Sequence, residues 1–162
     1  MSSPTRIGGS SAHLSQNRAH RRPGAGGGAG VLSIGGERPT ISSVKLLLEN
    51  LPASLQDQHE TLAKCLEAMD RALPLTAVYL FGSHARGEAR PDSDVDLCLV
   101  AEGATEQLKA AQRYRKAIWD IRPKPAFTLL PIAPGRLEEK KAIVDFFFDT
   151  ILREGVLLAT KN

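Results

Sequence analysis

The sequence predicts a small α/β (α+β) domain, a mixed β-sheet with helices packed against it. Three observations carry that expectation. Strand-length runs of aliphatic, β-branched and aromatic residues fall at 75–81, 94–100 and 126–132. Segments with apolar residues three and four positions apart lie before, between and after them. The length, 162 residues, is that of one domain.

Each element follows from its pattern. From Ser54 the spacing is helical, since Leu55, Leu62, Leu66, Met69 and Leu73 share one face. Pro74 lies where that helix must stop. Leu75–Phe81 reads as the first strand. Asp94–Val100 reads as the second, with Val95, Leu97 and Leu99 on one face and Asp94, Asp96 and Cys98 on the other. Thr105–Ile121 reads as a second helix with Leu108, Ala111, Ile118 and Ile121 turned inward. Pro123 and Pro125 break the chain after it. Ala126–Ile132, apolar nearly throughout, reads as a third strand covered on both faces. Glu138–Arg153 reads as one final helix bringing Ile143, Val144, Phe147, Phe148 and Ile151 to the core, and Gly155 is placed to end it. Phe146 is assigned to the same core in preference to a partner contact, and Tyr79 and Trp119 to packing in preference to base-stacking platforms.

Residues 1–36 have a different character. They contain no Asp or Glu, four arginines (Arg6, Arg18, Arg21, Arg22) and a Gly/Ala run over 24–30. Too little apolar surface is present to offset the entropy of ordering, so a disordered leader is expected over 1–40, ahead of a domain at 41–162. The leader also accounts for the basic balance. Without its four arginines the chain has 17 basic and 18 acidic residues, a net of −1, which argues against nucleic acid as a partner of the domain. There is no signal-peptide pattern and no apolar run of about 18 residues, so the expected location is cytoplasmic, with no membrane contact. Cys65 and Cys98 lack metal-ligand spacing and read as reduced core residues.

The chemistry is concentrated at residues 80–97. The first strand runs into Gly82-Ser83, a short polar connection follows, and the second strand opens on Asp94 and Asp96. Residues i and i+2 of a strand share a face about 6.7 Å apart. Two carboxylates so placed repel by about 2.5 kcal/mol at an effective dielectric near 20, a cost that a cation between them removes. Gly82 allows a ligand to approach the backbone. Ser83 is expected to cap the helix beginning there, where free N–H groups favour anions. Asp94 and Asp96 are therefore the candidate metal ligands and catalytic carboxylates for Mg²⁺, which binds through one or two carboxylates plus substrate phosphates. Gly82 and Ser83 are candidate phosphate contacts, and Arg86 a candidate phosphate clamp. Arg90 is a weaker candidate. His84 reads as a surface residue beside the turn, in preference to a contact with a nucleobase or incoming substrate. Each half of this pattern, alone, is equally a loop with solvated charges.

Gly82-Ser83, ten intervening residues and Asp94-Val95-Asp96 resemble the signature of the nucleotidyltransferase superfamily with the polymerase beta-like fold. The wording from Gly82 to Ala89, followed by Ser93 to Leu97, is similar to the minimal nucleotidyltransferases, small proteins paired as antitoxins with HEPN-type toxins. The ending Ile151–Leu158 is similar too, so the resemblance covers roughly residues 54–160. It implies an enzyme that binds a nucleoside triphosphate, ATP foremost, and transfers its monophosphate to a hydroxyl. The resemblance makes that hydroxyl a tyrosine of a small helical HEPN-type partner, and an oligomer is compatible with the pattern. Active members carry a third carboxylate on the third strand. Here Thr128 occupies that position, and no Asp or Glu occurs between Ile121 and Arg136. The alternative is a nucleotide- or partner-binding module with impaired catalysis.

Overall fold

The computed structural model describes residues 44–162, so the leader expected over 1–40 lies outside the described residues. Among the described residues five strands form one mixed sheet in the order β1-β5-β2-β3-β4. They are β1 (Val44–Leu46), β2 (Ala77–Phe81), β3 (Val95–Val100), β4 (Phe127–Ile132) and β5 (Val156–Lys161). Only β3 and β4 run parallel; the other pairings are antiparallel. The helices are α1 (His59–Ala72), the single turn α2 (Gly82–Ala85), α3 (Gln107–Ala117), α4 (Pro134–Ala142) and α5 (Phe146–Glu154).

The first predicted helix begins instead as a 3₁₀ segment, Ala53–Gln58, and becomes α-helical at His59. Its buried face is Leu62, Cys65, Leu66 and Met69, the i, i+3, i+4, i+7 pattern of an amphipathic helix. Together with α3 it covers one face of the sheet, where Val95, Leu97 and Leu99 are fully buried. On α3 the inward residues are Ala110 and Tyr114, followed by Ile118, whereas the predicted Leu108 is 73% exposed. The Tyr114 hydroxyl donates to the Leu73 carbonyl at 3.0 Å, which satisfies the polar end of an otherwise apolar anchor. The opposite face carries Cys98, Val100 and Ile132 and is covered by Leu137, Phe148 and Ile151. Tyr79 packs against this second cluster, as expected of it.

Three expectations are corrected. The final helix is two helices. Asp145 accepts hydrogen bonds from the Phe147 and Phe148 N–H groups (3.1 and 3.3 Å) and so caps α5, while Val144 before it takes φ 52°. That break turns Ile143, Val144, Phe146 and Phe147 out to solvent, at 70, 72, 80 and 50% exposure, instead of into the core. The third strand is covered on both faces only in part: Phe127, Leu129, Pro131 and Ile132 are buried but Thr128 is exposed, and Pro131 is tolerated because the strand is at the sheet edge, where only one neighbour asks for its hydrogen bonds. Trp119 is 67% exposed and does not pack into the core. β1 and β5 were not read from the pattern. β5 starts at once after Gly155, where a side chain would collide with the Ile151 carbonyl; that is why glycine ends α5. Cys65 and Cys98 are buried thiols, and burial pushes Cys98 up to about 12.

Candidate active site

The sheet brings the predicted residues together at one end of β2 and β3. Phe81 is in register with Asp96, so the turn at Gly82 lies directly against that carboxylate. Gly82 has φ 74°, and a Cβ there would collide with the Asp96 side chain, its Cγ standing 3.0 Å away. Glycine is required twice over, by the backbone conformation and by the carboxylate in its space. The turn that follows is a single helical turn, closed by the Arg86 N–H donating to the Gly82 carbonyl at 3.2 Å. The N–H groups at the start of such a turn have no partner within it.

Ser83 does not cap this turn, contrary to expectation. Phe81 is the cap residue and no side chain accepts from the first N–H groups, because Ser83 is already inside the helix. Its hydroxyl is thereby released from a capping role. Its carbonyl accepts from Glu88 N–H at 2.9 Å, which folds the connection back.

Asp94 lies just ahead of β3 and is exposed; Asp96 is partly buried. Thr128, in register with Asp96 across the parallel pair, stands between them. Its hydroxyl donates to Asp94 Oδ2 at 3.3 Å and lies near enough to Asp96 to favour that carboxylate's charged form. Burial raises the Asp96 pKa above the ordinary carboxylate value; the Asp94 charge adds to the rise, and Thr128, His84 and Arg86 oppose it. Among the described residues neither Asp94 nor Asp96 has an ion-pair partner. Two carboxylates without an ion-pair partner, one of them against the Gly82 turn, suit Mg²⁺ as partial ligands. The set is incomplete, since no cluster of three His, Cys, Asp or Glu side chains occurs among the described residues.

Arg86 ends the turn and acts on Asp96 electrostatically, which places its charge at the site. Its Nε is held by Glu88 Oε2 at 3.0 Å, so the terminal nitrogens remain for a phosphate. Arg90 lies on the far side of the connection, lining a polar hollow with Asp57, Asp92 and Ser93.

His84 is the residue that sequence reasoning missed. It is buried, not on the surface. One ring nitrogen, Nδ1, is 2.8 Å from Ser54 Oγ, and Nε2 is 3.4 Å from the Ser93 carbonyl. A carbonyl only accepts, so Nε2 donates to Ser93, while Nδ1 shares the other hydrogen bond with the Ser54 hydroxyl. His84 thus ties the glycine–serine turn both to the segment before α1 and to the residue before Asp94. Its partner Ser54 is 30 positions away, and no local pattern signals such a bond.

No curated protein matches the chain significantly. Three solved chains match. One is the crystal structure of a presumed nucleotidyltransferase from Sulfolobus solfataricus, 24% identical, with a TM-score of 0.41, covering 64% of this chain and 81% of its own. No helix among the described residues is long and apolar enough to cross a membrane. A sequence model described as the nucleotidyltransferase domain matches residues 62–152, more than half of the chain and all of the turn, both carboxylates and Thr128. The chain therefore belongs to the nucleotidyltransferase domain family, a family of transferases that move nucleoside monophosphates.

Proposed function

We propose that this protein binds a nucleoside triphosphate, ATP foremost, with Mg²⁺, and transfers the nucleoside monophosphate to an acceptor hydroxyl, which attacks the α-phosphorus and releases pyrophosphate. The observation that carries the reading is the Asp96 carboxylate lying against the backbone of Gly82. A metal ligand and a phosphate-binding turn are thereby within one substrate's reach. When bound, Mg²⁺ would neutralise charge on the phosphates during displacement at the α-phosphorus. The chain's own part is to orient. Asp94 and Asp96 hold the ion, the Gly82-Ser83 turn and the Ser83 hydroxyl hold the distal phosphates, and Arg86 offsets the charge that accumulates on them. Family resemblance points to a tyrosine of a HEPN-type toxin as acceptor, which makes this chain the antitoxin of a pair. The outward-facing Ile143, Val144, Phe146 and Phe147 support a protein partner, since a contiguous apolar patch marks an interaction surface.

Incubating the protein with α-labelled ATP, Mg²⁺ and a HEPN-type partner tests this. Label on the partner, lost in Asp94→Ala plus Asp96→Ala, is the expected result. A second reading, binding without transfer, is favoured by one observation. Thr128 offers a hydroxyl, 3.3 Å from Asp94, where catalysis would use a third carboxylate. A neutral hydroxyl is a poor base at neutral pH. Under this reading a tight complex survives the double substitution and no label moves.

A further inference from the structure

The near-neutral net charge of the domain conceals a strong segregation. Residues 44–162 carry 16 basic and 17 acidic side chains. Residues 107–124, which are α3 and the turn after it, take six of the cations (Lys109, Arg113, Arg115, Lys116, Arg122, Lys124) and one acid, Asp120. Elsewhere 10 basic residues face 16 acidic ones. Because α3 buries Ala110 and Tyr114, with Ile118 just beyond, the helical period sends its four cations to solvent. Lys109 pairs with Glu106 at 2.7 Å. Arg113, Arg115, Lys116 and Arg122 have no acidic partner among the described residues.

The same surface exposes the chain's single tryptophan. Trp119 is 67% exposed, and the Arg122 guanidinium lies 5.9 Å from its ring centroid. The turn beneath is pinned by Lys124, whose Nζ donates to the carbonyls of Trp119 (3.4 Å) and Ile121 (3.1 Å). A hollow of about 280 Å³ opens there, walled by Trp119, Arg115 and Arg122 over Ile118 and Phe127. Its Ala126 wall accepts a hydrogen bond from the Val95 N–H at 2.8 Å, next to Asp94, so the hollow adjoins the candidate active site without belonging to it.

We propose that α3 and the turn 118–124 bind a single-stranded polynucleotide. Arg115 and Arg122 beside the exposed indole, with Lys116 one residue on, match a phosphate chain, and the indole with a guanidinium beside it matches an unstacked base. A duplex hides its base faces, and an acidic peptide matches the charge but leaves the indole without a counterpart. The site stands independently of nucleotidyl transfer.

The test uses the full chain and fluorescein-labelled 12-nucleotide oligouridylate and oligothymidylate, read by anisotropy between 50 and 200 mM salt. Both strands or either one should bind, and a preference would name the sugar. Arg115→Ala with Lys116→Ala and Arg122→Ala should lower the magnitude of the log–log salt slope by about 2, at about 0.7 per phosphate contact. Trp119→Ala should weaken binding about five- to 150-fold with the slope unchanged, and Trp119→Phe should recover part of it. All these side chains are on the surface, so melting temperatures should stay near that of the parent. Asp94→Ala plus Asp96→Ala should bind the strands normally, which separates this site from the transfer reading. The proposal is overturned if neither strand binds, if Trp119→Ala binds equally well, or if labelled polyglutamate binds as tightly. Loss confined to a variant with Arg6, Arg18, Arg21 and Arg22 changed to Ala would overturn it as well.

Discussion

Along β3, Val95, Leu97 and Leu99 are closed off from solvent, while Asp96 between them is partly open and Asp94 ahead of them is exposed. One strand serves two faces because its side chains alternate. The face under α1 and α3 is sealed by leucines. The face under α4 and α5 is sealed only over its inner half, and its open end holds the carboxylates. Stability and the proposed chemistry thus fall to neighbouring residues of the same six-residue strand, and substitutions at adjacent positions should have separable effects.

The largest effect should come from the open face. Asp96→Asn keeps shape and removes the charge, and transfer of label from ATP should fall about thousandfold, several kcal/mol of lost transition-state stabilisation. Thermal unfolding should be unharmed. If both activity and melting collapse together, the two faces are not separable. Next is the sealed face. Leu97→Ala should cost about 2–5 kcal/mol of stability by opening a cavity, measured by urea unfolding, while nucleotide affinity per folded molecule stays near that of the parent. Thr128→Asp sharpens the comparison from the open side. It supplies the missing carboxylate in register with Asp96, and turnover at saturating Mg²⁺ should rise about tenfold. No rise would favour binding without transfer.

The smallest effect concerns pH. Burial holds the Asp96 carboxyl above its ordinary value of 3.8. A group whose pKa is higher in the folded state stabilises the fold while protonated. That contribution is complete below the unfolded value and is lost as pH rises through the folded one. Asp96→Asn should therefore melt higher than the parent near neutral pH in metal-free buffer. The difference should close below about pH 4, where the parent carboxyl is protonated in both states. A constant difference across that range would mean that Asp96 does not titrate abnormally.

Much of this site was legible because it is local. Gly82-Ser83 and Asp94-Val95-Asp96 are each fixed by strand geometry within a few residues, and hydrophobic flanks set their order. Thr128 could be placed because a strand pattern aligns it. What escaped depends on distant partners or on a single cap. His84 is buried by Ser54 and Ser93, which a surface-like sequence around it does not announce. The split between α4 and α5 turns on Asp145, an acid before an apolar run that is in principle a readable N-cap. A helical period running through it masked the break. Tyr114 was passed over in favour of Leu108 because hydrophobicity outweighed phase on a strongly charged helix. β5 depends on pairing with both β1 and β2, and nothing within its six residues requires that.

The central claim is that two acidic side chains and the glycine turn act as one binding unit that needs a divalent ion. Calorimetric titration of the full chain with ATP, with and without Mg²⁺, tests it most directly. The account predicts uptake that requires Mg²⁺ and disappears in Asp94→Ala plus Asp96→Ala. Uptake that is equal in EDTA, or undiminished in the double variant, would contradict it.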